Sequence, residues 1–146
     1  MTEKRILKPK TIPRTARMND SEHDHQKAVF EWMEWQSRGP IPELKWAFAI
    51  PNGGERHLFV AKKMQAEGLK AGVPDLFIPV SRNGFHGLFI EMKKPAGKIS
   101  DIQQQWLNQL AILGYFAYCC HSSNEAIDLI SYYFGKGPLS KKVQYA

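Results

Sequence analysis

The sequence predicts one mixed α/β domain in which helices flank a central sheet. The chain has 146 residues, which suits a single domain, and 43% of them are hydrophobic, which is enough to form an ordinary core. Helical and strand patterns alternate in the order helix, strand, helix, hairpin, helix, strand, helix. Asn83-Gly84 separates two apolar runs, and this dipeptide is typical of a tight β-hairpin.

Capping residues mark where the predicted helices begin and end. Ser21 is a good N-cap for the first helix, which should stop before Gly39-Pro40 because glycine and proline break helices. Ser100, followed three residues later by Gln103, forms a capping box that opens the third helix. The four helices are predicted over residues 21–36, 56–67, 101–113 and 124–134.

Four apolar runs are predicted to form the strands of the sheet. They are rich in aromatic and aliphatic residues, which is typical of strands that are covered on both faces. The strands are predicted over residues 44–50, 75–80, 87–93 and 115–120. The second and third strands should pair antiparallel, because the Asn-Gly turn lies between them.

Charge divides the chain into three segments. It carries 20 basic and 14 acidic residues, and the first 20 residues hold six basic against two acidic side chains. Because this segment lacks apolar periodicity, it is predicted to be a flexible basic arm, which could bind a polyanion or could be only a solvated tail. We therefore expect an arm over residues 1–20, a folded domain over residues 21–134 and a tail over residues 135–146.

Other features exclude several classes of protein. The two cysteines, Cys119 and Cys120, are adjacent, so a disulfide framework or a cysteine-rich zinc finger is excluded. No apolar run approaches the length of a membrane span or of a signal-peptide core, and no P-loop or nucleophilic triad is present. We expect a protein of the reducing cytoplasm with no membrane partner and no organic cofactor.

Ionisable residues interrupt the two central strands where buried side chains are expected. Side chains alternate in a strand, so Glu91 and Lys93 share one face with Phe89. Because both faces of this strand are apolar, these charges should be at least partly buried, and buried charges must be paired or bound to metal. Asp75 opens the preceding strand, and antiparallel pairing brings it level with residues 91–93.

The register of this hairpin decides whether the two carboxylates meet. A strict two-residue turn at Asn83-Gly84 would place Asp75 opposite Met92, on the wrong face for Glu91. One additional residue in one arm of the hairpin would correct the parity. We therefore predict a bulge or an odd-length loop near Gly84 or Gly87.

The cluster has a structural and a chemical interpretation. In the first, Asp75 is a turn residue and Glu91 and Lys93 form a buried ion pair. In the second, the two carboxylates offer oxygen ligands to Mg²⁺ or Mn²⁺, and the lysine orients or activates water. The second arrangement is suited to metal-assisted hydrolysis of a phosphodiester bond.

These motifs resemble the Pro-Asp…(Asp/Glu)-x-Lys signature of the restriction-endonuclease-like nucleases. Pro74-Asp75 is followed here by Glu91-Met92-Lys93. The sequence around this signature is more specific to one family. It contains Ile50-Pro51-Asn52-Gly53-Gly54, Gly72-Val73 before the Pro-Asp pair, and Ser100, Gln103 and Trp106-Leu107 after the lysine. Over residues 21–134 the chain is similar to the stand-alone form of the virus-type replication-repair nuclease (VRR-NUC) family.

The resemblance implies roles for the residues of the central motif. Asp75 and Glu91 would be metal ligands, together with the main-chain carbonyl of Met92. Lys93 would be the catalytic lysine. Gln103 matches a glutamine of the family, and it would support Lys93 or the substrate while it also closes the capping box.

Glu22 matches an acidic residue on the first helix of the family. Its helical face also carries Gln26, Val29 and Met33, a stripe that points to the core. A carboxylate in line with this stripe could reach the metal. Alternatively, Glu22 is a first-turn residue that the helix dipole stabilises.

Further candidates concern DNA binding. Asn52, Gly53 and Gly54 correspond to an Asn-Gly-Gly loop of the family, where glycines allow a phosphate to approach the backbone, although an ordinary turn also explains them. Basic side chains could contact phosphates or could be solvated surface charges. They are Arg56, Lys62, Lys63, Lys94 and Lys98.

We expect the histidine and tryptophan residues to have roles other than metal binding and base stacking. His23 and His25 have no third ligand at metal-site spacing, so we place them at the surface or near the substrate. The tryptophans are predicted to lie in the core or at an interface, not to stack on bases. They are Trp32, Trp35, Trp46 and Trp106.

The resemblance implies a restriction-endonuclease-like fold and a bacterial or phage-encoded, Mg²⁺- or Mn²⁺-dependent DNA endonuclease. Its expected form is a homodimer that cuts branched DNA, with four-way junctions as the leading substrate, because two symmetric sites suit two symmetric nicks. Flap, nicking or exonuclease activity on branched or single-stranded DNA is the first alternative. A non-catalytic DNA-binding module is the second, and the complete set of Asp75, Glu91 and Lys93 counts against it.

Overall fold

The structure of the protein, a computed structural model, describes residue 17 and residues 20–51 and 58–139. The helices and strands follow the predicted order. They are α1 (Glu22–Ser37), a 3₁₀ helix (Pro42–Trp46), β1 (Phe48–Ala49), α2 (Leu58–Ala66), β2 (Leu76–Ile78), β3 (Leu88–Met92), α3 (Asp101–Ile112), β4 (Phe116–Cys120) and α4 (Ser123–Tyr133).

The four strands form one mixed sheet in the order β1-β2-β3-β4. The first three pair antiparallel, and β4 joins β3 in parallel after the crossover through α3. Helices α1 and α4 cover one face, where the main core lies, and α3 packs on the opposite face beside β4. The predicted α/β architecture, with a central mixed sheet flanked by helices, is confirmed.

Two capping boxes fix the helices that reach the site. Ser21 Oγ accepts the N–H of Asp24, and the Asp24 carboxylate accepts the N–H of Ser21 at 3.0 Å. Ser100 and Gln103 form the predicted box at the start of α3, where the side-chain oxygen of Gln103 accepts the N–H of Ser100 at 2.9 Å. These reciprocal bonds satisfy backbone donors that a helix otherwise leaves unpaired.

The prediction of a strand over residues 44–50 is wrong for most of that segment. Residues 42–46 form a 3₁₀ helix, and only Phe48–Ala49 pairs as a strand. Pro42 stands at the first position of the 3₁₀ helix, where its fixed φ angle favours a helical start. Ile41 and Leu44 are both buried in the core, and the tight 3₁₀ turn brings both onto α1.

The β2–β3 hairpin contains the additional residue that was predicted to bring Asp75 and Glu91 onto the same face. Arg82 and Phe85 exchange backbone hydrogen bonds around Asn83-Gly84, whose φ angles of 53° and 82° define a type I′ turn. Between this turn and the ladder, residues 79–81 lie opposite residues 86–87. The additional residue is on the β2 side, between Ile78 and Arg82, and it places Asp75 level with Glu91.

Several predictions fall on residues that the structure does not describe. The basic arm lies there apart from Arg17 and Asp20, as do the start of the second predicted helix and the end of the tail. The described part of that helix ends as predicted, with Gly68 at a φ of 104°. The division into arm, domain and tail remains a prediction.

Candidate active site

Asp75 directly precedes β2, and contacts of the surrounding loop and strands fix its position. Gly72, at a φ of 86°, lies so close to α3 that an added Cβ would stand 2.8 Å from Ile102 Cγ1. The ring nitrogen of Trp106 donates to the carbonyl of Ala71 at 3.0 Å, which ties the same loop to α3. The Asp75 carbonyl accepts the N–H of Ile50 at 2.8 Å, and its carboxylate accepts the N–H of Met92 at 2.7 Å. The carboxylate therefore has a fixed position where the central strand β2 begins.

Glu91 lies on β3 directly beside Asp75, and only 1% of it is exposed. Its Oε1 accepts the side-chain amide of Gln103 at 2.7 Å. The capping box fixes that amide, because its oxygen is bound to the N–H of Ser100 and only its nitrogen can face Glu91. Glu91 Oε2 is buried without a hydrogen-bond partner among the described residues. A proton shared with the neighbouring Asp75 carboxylate, a water molecule or a cation can satisfy such an oxygen.

Lys93 completes the cluster from the end of the same strand. Its side chain is 12% exposed, and its Nζ lies 3.6 Å from Glu91 Oε1 and 3.9 Å from Glu22 Oε2. The predicted partial burial of Glu91 and Lys93 is confirmed. Gln103 was expected to support Lys93 or the substrate, and its amide contacts Glu91 instead.

The electrostatics of the site follow from burial. Loss of water, and then the charge of Asp75, raise the pKa of Glu91 to about 8. Burial also raises the pKa of Asp75, against the opposing effect of the Met92 N–H bond. Two carboxylates in this environment resist simultaneous ionisation unless a cation lies between them.

The donor set fits a hard divalent cation. One carboxylate oxygen from each of Glu22, Asp75 and Glu91 lies within 4.8 Å of the others, so a single ion could contact all three. The N–H of Met92 points to Asp75, and the N–H and carbonyl of one residue lie on the same edge of an extended strand. The Met92 carbonyl therefore faces the cluster as well. Glu22 therefore lies where the ligand interpretation places it, and its role as a ligand stays a prediction.

The basic candidates divide between described and undescribed residues. Lys62, Lys63, Lys94 and Lys98 are all exposed, as a phosphate contact requires. Residues 52–56, which include the Asn-Gly-Gly loop and Arg56, lie outside the described residues. The DNA-binding roles of both groups remain predictions.

Sequence reasoning misplaced His25 and did not foresee the position of Cys119, which is partly buried. His25 was expected at the surface or near the substrate, but it is 1% exposed and its Nδ1 accepts the N–H of Ser123. It connects α1 to the start of α4, and its place in the buried stripe of α1 was the available signal. Cys119 lies beside Glu91 in the parallel ladder, and burial raises the pKa of its thiol to about 12. The thiol stays neutral and is not a nucleophile.

The tryptophans only partly follow their prediction. Trp32 packs against the core, whereas Trp46 is 62% exposed and cannot be a core residue. The 3₁₀ helix turns Leu44 inward, and Trp46 lies two residues further along on the outside. Its exposure leaves an interface as the remaining expectation.

Fold and site together define the class of protein. A mixed four-stranded sheet brings Asp75, Glu91 and Lys93 together at one end of its two central strands, which is the arrangement of a restriction-endonuclease-like domain. The chain belongs to the VRR-NUC family: the VRR-NUC domain matches residues 20–124. A solved structure described as a VRR_NUC domain protein superposes with a TM-score of 0.67 at 28% identity, covering 84% of this chain and 94% of that chain.

No curated protein sequence matches this chain significantly. In the described part of the chain, no helix has both the length and the apolar character needed to cross a bilayer. The match therefore establishes a nuclease family, and the particular DNA structure is a separate question.

Proposed function

We propose that this protein is a divalent-cation-dependent endonuclease that hydrolyses phosphodiester bonds at branch points in DNA. The observation that carries the proposal is the buried, unpartnered oxygen of Glu91 within a group of three carboxylates beside a lysine. A domain that only bound DNA would gain nothing from carboxylates that repel phosphates. Four-way junctions remain the leading substrate, and flaps, nicks or single-stranded ends are the alternative.

Asp75, Glu91, Glu22 and the Met92 carbonyl would hold Mg²⁺ or Mn²⁺. When bound, such a cation polarises a phosphoryl oxygen and lowers the pKa of water. Asp75 and Glu91 would hold the cation from fixed positions, since neither carboxylate can rotate without breaking a bond to Met92 or Gln103.

Lys93 acts on the water or on the charge that develops in the transition state. Its ammonium group lies 3.6 Å from Glu91, within reach of any oxygen bound there. Because it is a compact point charge on a mostly buried stem, it can donate to an attacking or a developing oxygen. Gln103 is a positioning residue, because it fixes Glu91 without reaching the reacting atoms.

The scattered basic residues support recognition of DNA shape and not of base sequence. Lys62 and Lys63 on α2, and Lys94 and Lys98 after β3, are exposed on segments that adjoin the strands of the site. Lysine contacts to phosphates position DNA without reading its bases. We therefore expect selectivity for branched over linear duplex, with affinity that falls steeply with salt.

We also propose that the protein works as a homodimer, as two symmetric cuts in a junction require. The outer face of α3 supports a second copy, because Ile102 and Ile112 are exposed there beside Trp106. This helix carries only one charged residue, Asp101, so it is poorly suited to contact DNA phosphates. Sedimentation of the purified wild type and, separately, of the Ile112→Glu variant tests this assignment.

One assay tests the activity. The purified protein is incubated with a four-way junction, a flap and a linear duplex of shared sequence, in Mg²⁺, in Mn²⁺ and in EDTA. We expect cleavage of the branched substrates only with the cation. Asp75→Ala should lose cleavage and keep DNA binding, because removal of a carboxylate does not weaken contact with phosphates. Cleavage by Asp75→Ala at the wild-type rate would refute the site.

A further inference from the structure

A row of aromatic side chains crosses the sheet, two residues along the strands from Asp75 and Glu91. Phe48 on β1, Phe77 on β2 and Phe89 on β3 have ring centroids 5.7 and 4.2 Å apart in succession. Tyr115, which precedes β4, continues the row at 5.1 Å from Phe89. The row runs across β1, β2 and β3 to the residue before β4, on the face opposite the main core.

This row adjoins the carboxylate cluster both along the strands and across them. The Phe77–Phe89 pair follows the Asp75–Glu91 level by one pleat, a spacing of about 6.5 Å along the strands. Phe48 pairs with Phe77, so Phe48 and Asp75 are diagonal neighbours, which in antiparallel pairs lie roughly 7–8 Å apart. A group bound at Asp75 is therefore within one nucleotide of the ring of Phe48.

The β1 end of the row is open to solvent. Phe48 is 48% exposed, and Trp46, two residues earlier in the chain, is 62% exposed. The ammonium of Lys45 lies 4.9 Å from the centre of the Trp46 ring, which adds a positive charge to this edge. Two large exposed aromatic rings with a lysine are the elements that bind single-stranded nucleic acid, where bases stack on rings and the cation attracts phosphate.

We propose that Trp46 and Phe48 form a stacking platform for an unpaired base next to the scissile phosphate. This inference rests on the proposed nuclease function and narrows its substrate to DNA with an unpaired nucleotide at the cut. In a duplex the faces of the bases are covered by their neighbours, so only a base that has left the stack can lie on these rings. The pleat spacing is about twice the 3.4 Å step of B-DNA, which suits a chain that has unstacked.

The test compares two branched substrates that differ by one base. Both carry a single unpaired nucleotide at the branch, which is a thymidine in one and an abasic site in the other. Affinity is measured by fluorescence anisotropy in Ca²⁺, and single-turnover cleavage is measured in Mg²⁺. For the wild type we expect about tenfold tighter binding of the thymidine substrate, within the range found for one stacked base.

Variants separate stacking from general effects on the fold. The double variant Trp46→Ala/Phe48→Ala should bind both substrates equally, whereas Trp46→Phe should keep the preference for thymidine. Tyr132→Ala is the matched control, because Tyr132 is an aromatic residue with 40% exposure on α4, which covers the other face. It should leave the ratio unchanged. Thermal melts of all variants identify loss of folding. If the double variant unfolds, Trp46→Ala alone, at a position that is 62% exposed, should still reduce the preference for thymidine, and an unchanged preference would overturn the proposal.

Each outcome addresses the proposal separately from the nuclease function. If the wild type binds the two substrates equally, the stacking platform is refuted even when cleavage is normal. If no DNA is cleaved, the nuclease function fails. The platform can still be tested, because oligothymidine should quench the tryptophan fluorescence of the wild type and this quenching should be lost in Trp46→Phe. If the double variant instead changes the sedimentation mass, the rings bind a second copy of the chain, and the proposal is overturned.

Discussion

Replacement of Glu91 by glutamine should make the metal-free protein more stable at alkaline pH. The folded state raises the pKa of Glu91 from 4.5 to about 8. At pH values between these limits the unfolded chain is ionised at this residue while the folded chain keeps the proton. Stability therefore falls as pH rises through this window, by up to about 1.4 kcal/mol per pH unit.

The magnitude follows from the width of the window. Between pH 5 and pH 7.5 the expected loss in the wild type is on the order of 3 kcal/mol as an upper limit. For a domain of this size that corresponds to a decrease in Tm of roughly 10 °C. Glu91→Gln can still accept the amide of Gln103, and it has no proton to lose.

Thermal melts in EDTA from pH 5 to pH 8.5 measure the difference between wild type and Glu91→Gln at each pH. The difference removes the contribution of histidines, which both proteins share. Glu31→Gln is the control, since Glu31 is half-exposed and pairs only loosely with Lys27 at 3.9 Å. Mg²⁺ should raise the Tm of the wild type and not that of Glu91→Gln, because only the wild type keeps the full ligand set. Parallel pH profiles for wild type and Glu91→Gln would refute the burial argument.

Three further predictions concern residues around the carboxylates. Lys93→Ala should lower the single-turnover rate by about 10²–10⁴-fold with little change in affinity, and a loss of Tm with an unchanged rate would instead indicate a structural pair. Gln103→Glu keeps the capping box and adds a fourth carboxylate to the cluster, so the pH profile of the cleavage rate should move to higher pH. An unchanged profile would remove Gln103 from the site. Gly72→Ala forces a side chain into the left-handed region against Ile102, which should destabilise the fold by about 1–3 kcal/mol in denaturant melts, and a neutral result would show that the loop can relax.

The sequence was sufficient for the features that depend on local chemistry. The capping box of Ser100 and Gln103 and the turn at Asn83-Gly84 were both predicted, since each uses residues close in the chain. The parity argument also succeeded, because the alternation of a strand follows strict geometry and Asp75 had to share a face with Glu91.

Features that depend on tertiary packing were not predictable in the same way. The segment over residues 44–50 has strand propensity, yet burial of Ile41 and Leu44 against α1 selects a 3₁₀ turn. His25 was placed at the surface or near the substrate because it has no third ligand at metal-site spacing, whereas its burial is satisfied by the N–H of Ser123, almost a hundred residues away. The bond from Gln103 to Glu91 likewise required the position of α3 over the sheet.

The three residues at 79–81 have a consequence for how this domain tolerates insertions and deletions. Hairpin tips usually accept changes of length, because little of the fold depends on them. Here, loss of one residue would force a choice: the type I′ turn is kept and β2 slips by one position, or the register is kept and the turn is lost. A slip by one position would turn Asp75 towards the hydrophobic core and away from Glu91. Changes by two residues preserve the side to which Asp75 points, so lengths of this loop that differ by an even number are the ones compatible with an intact site.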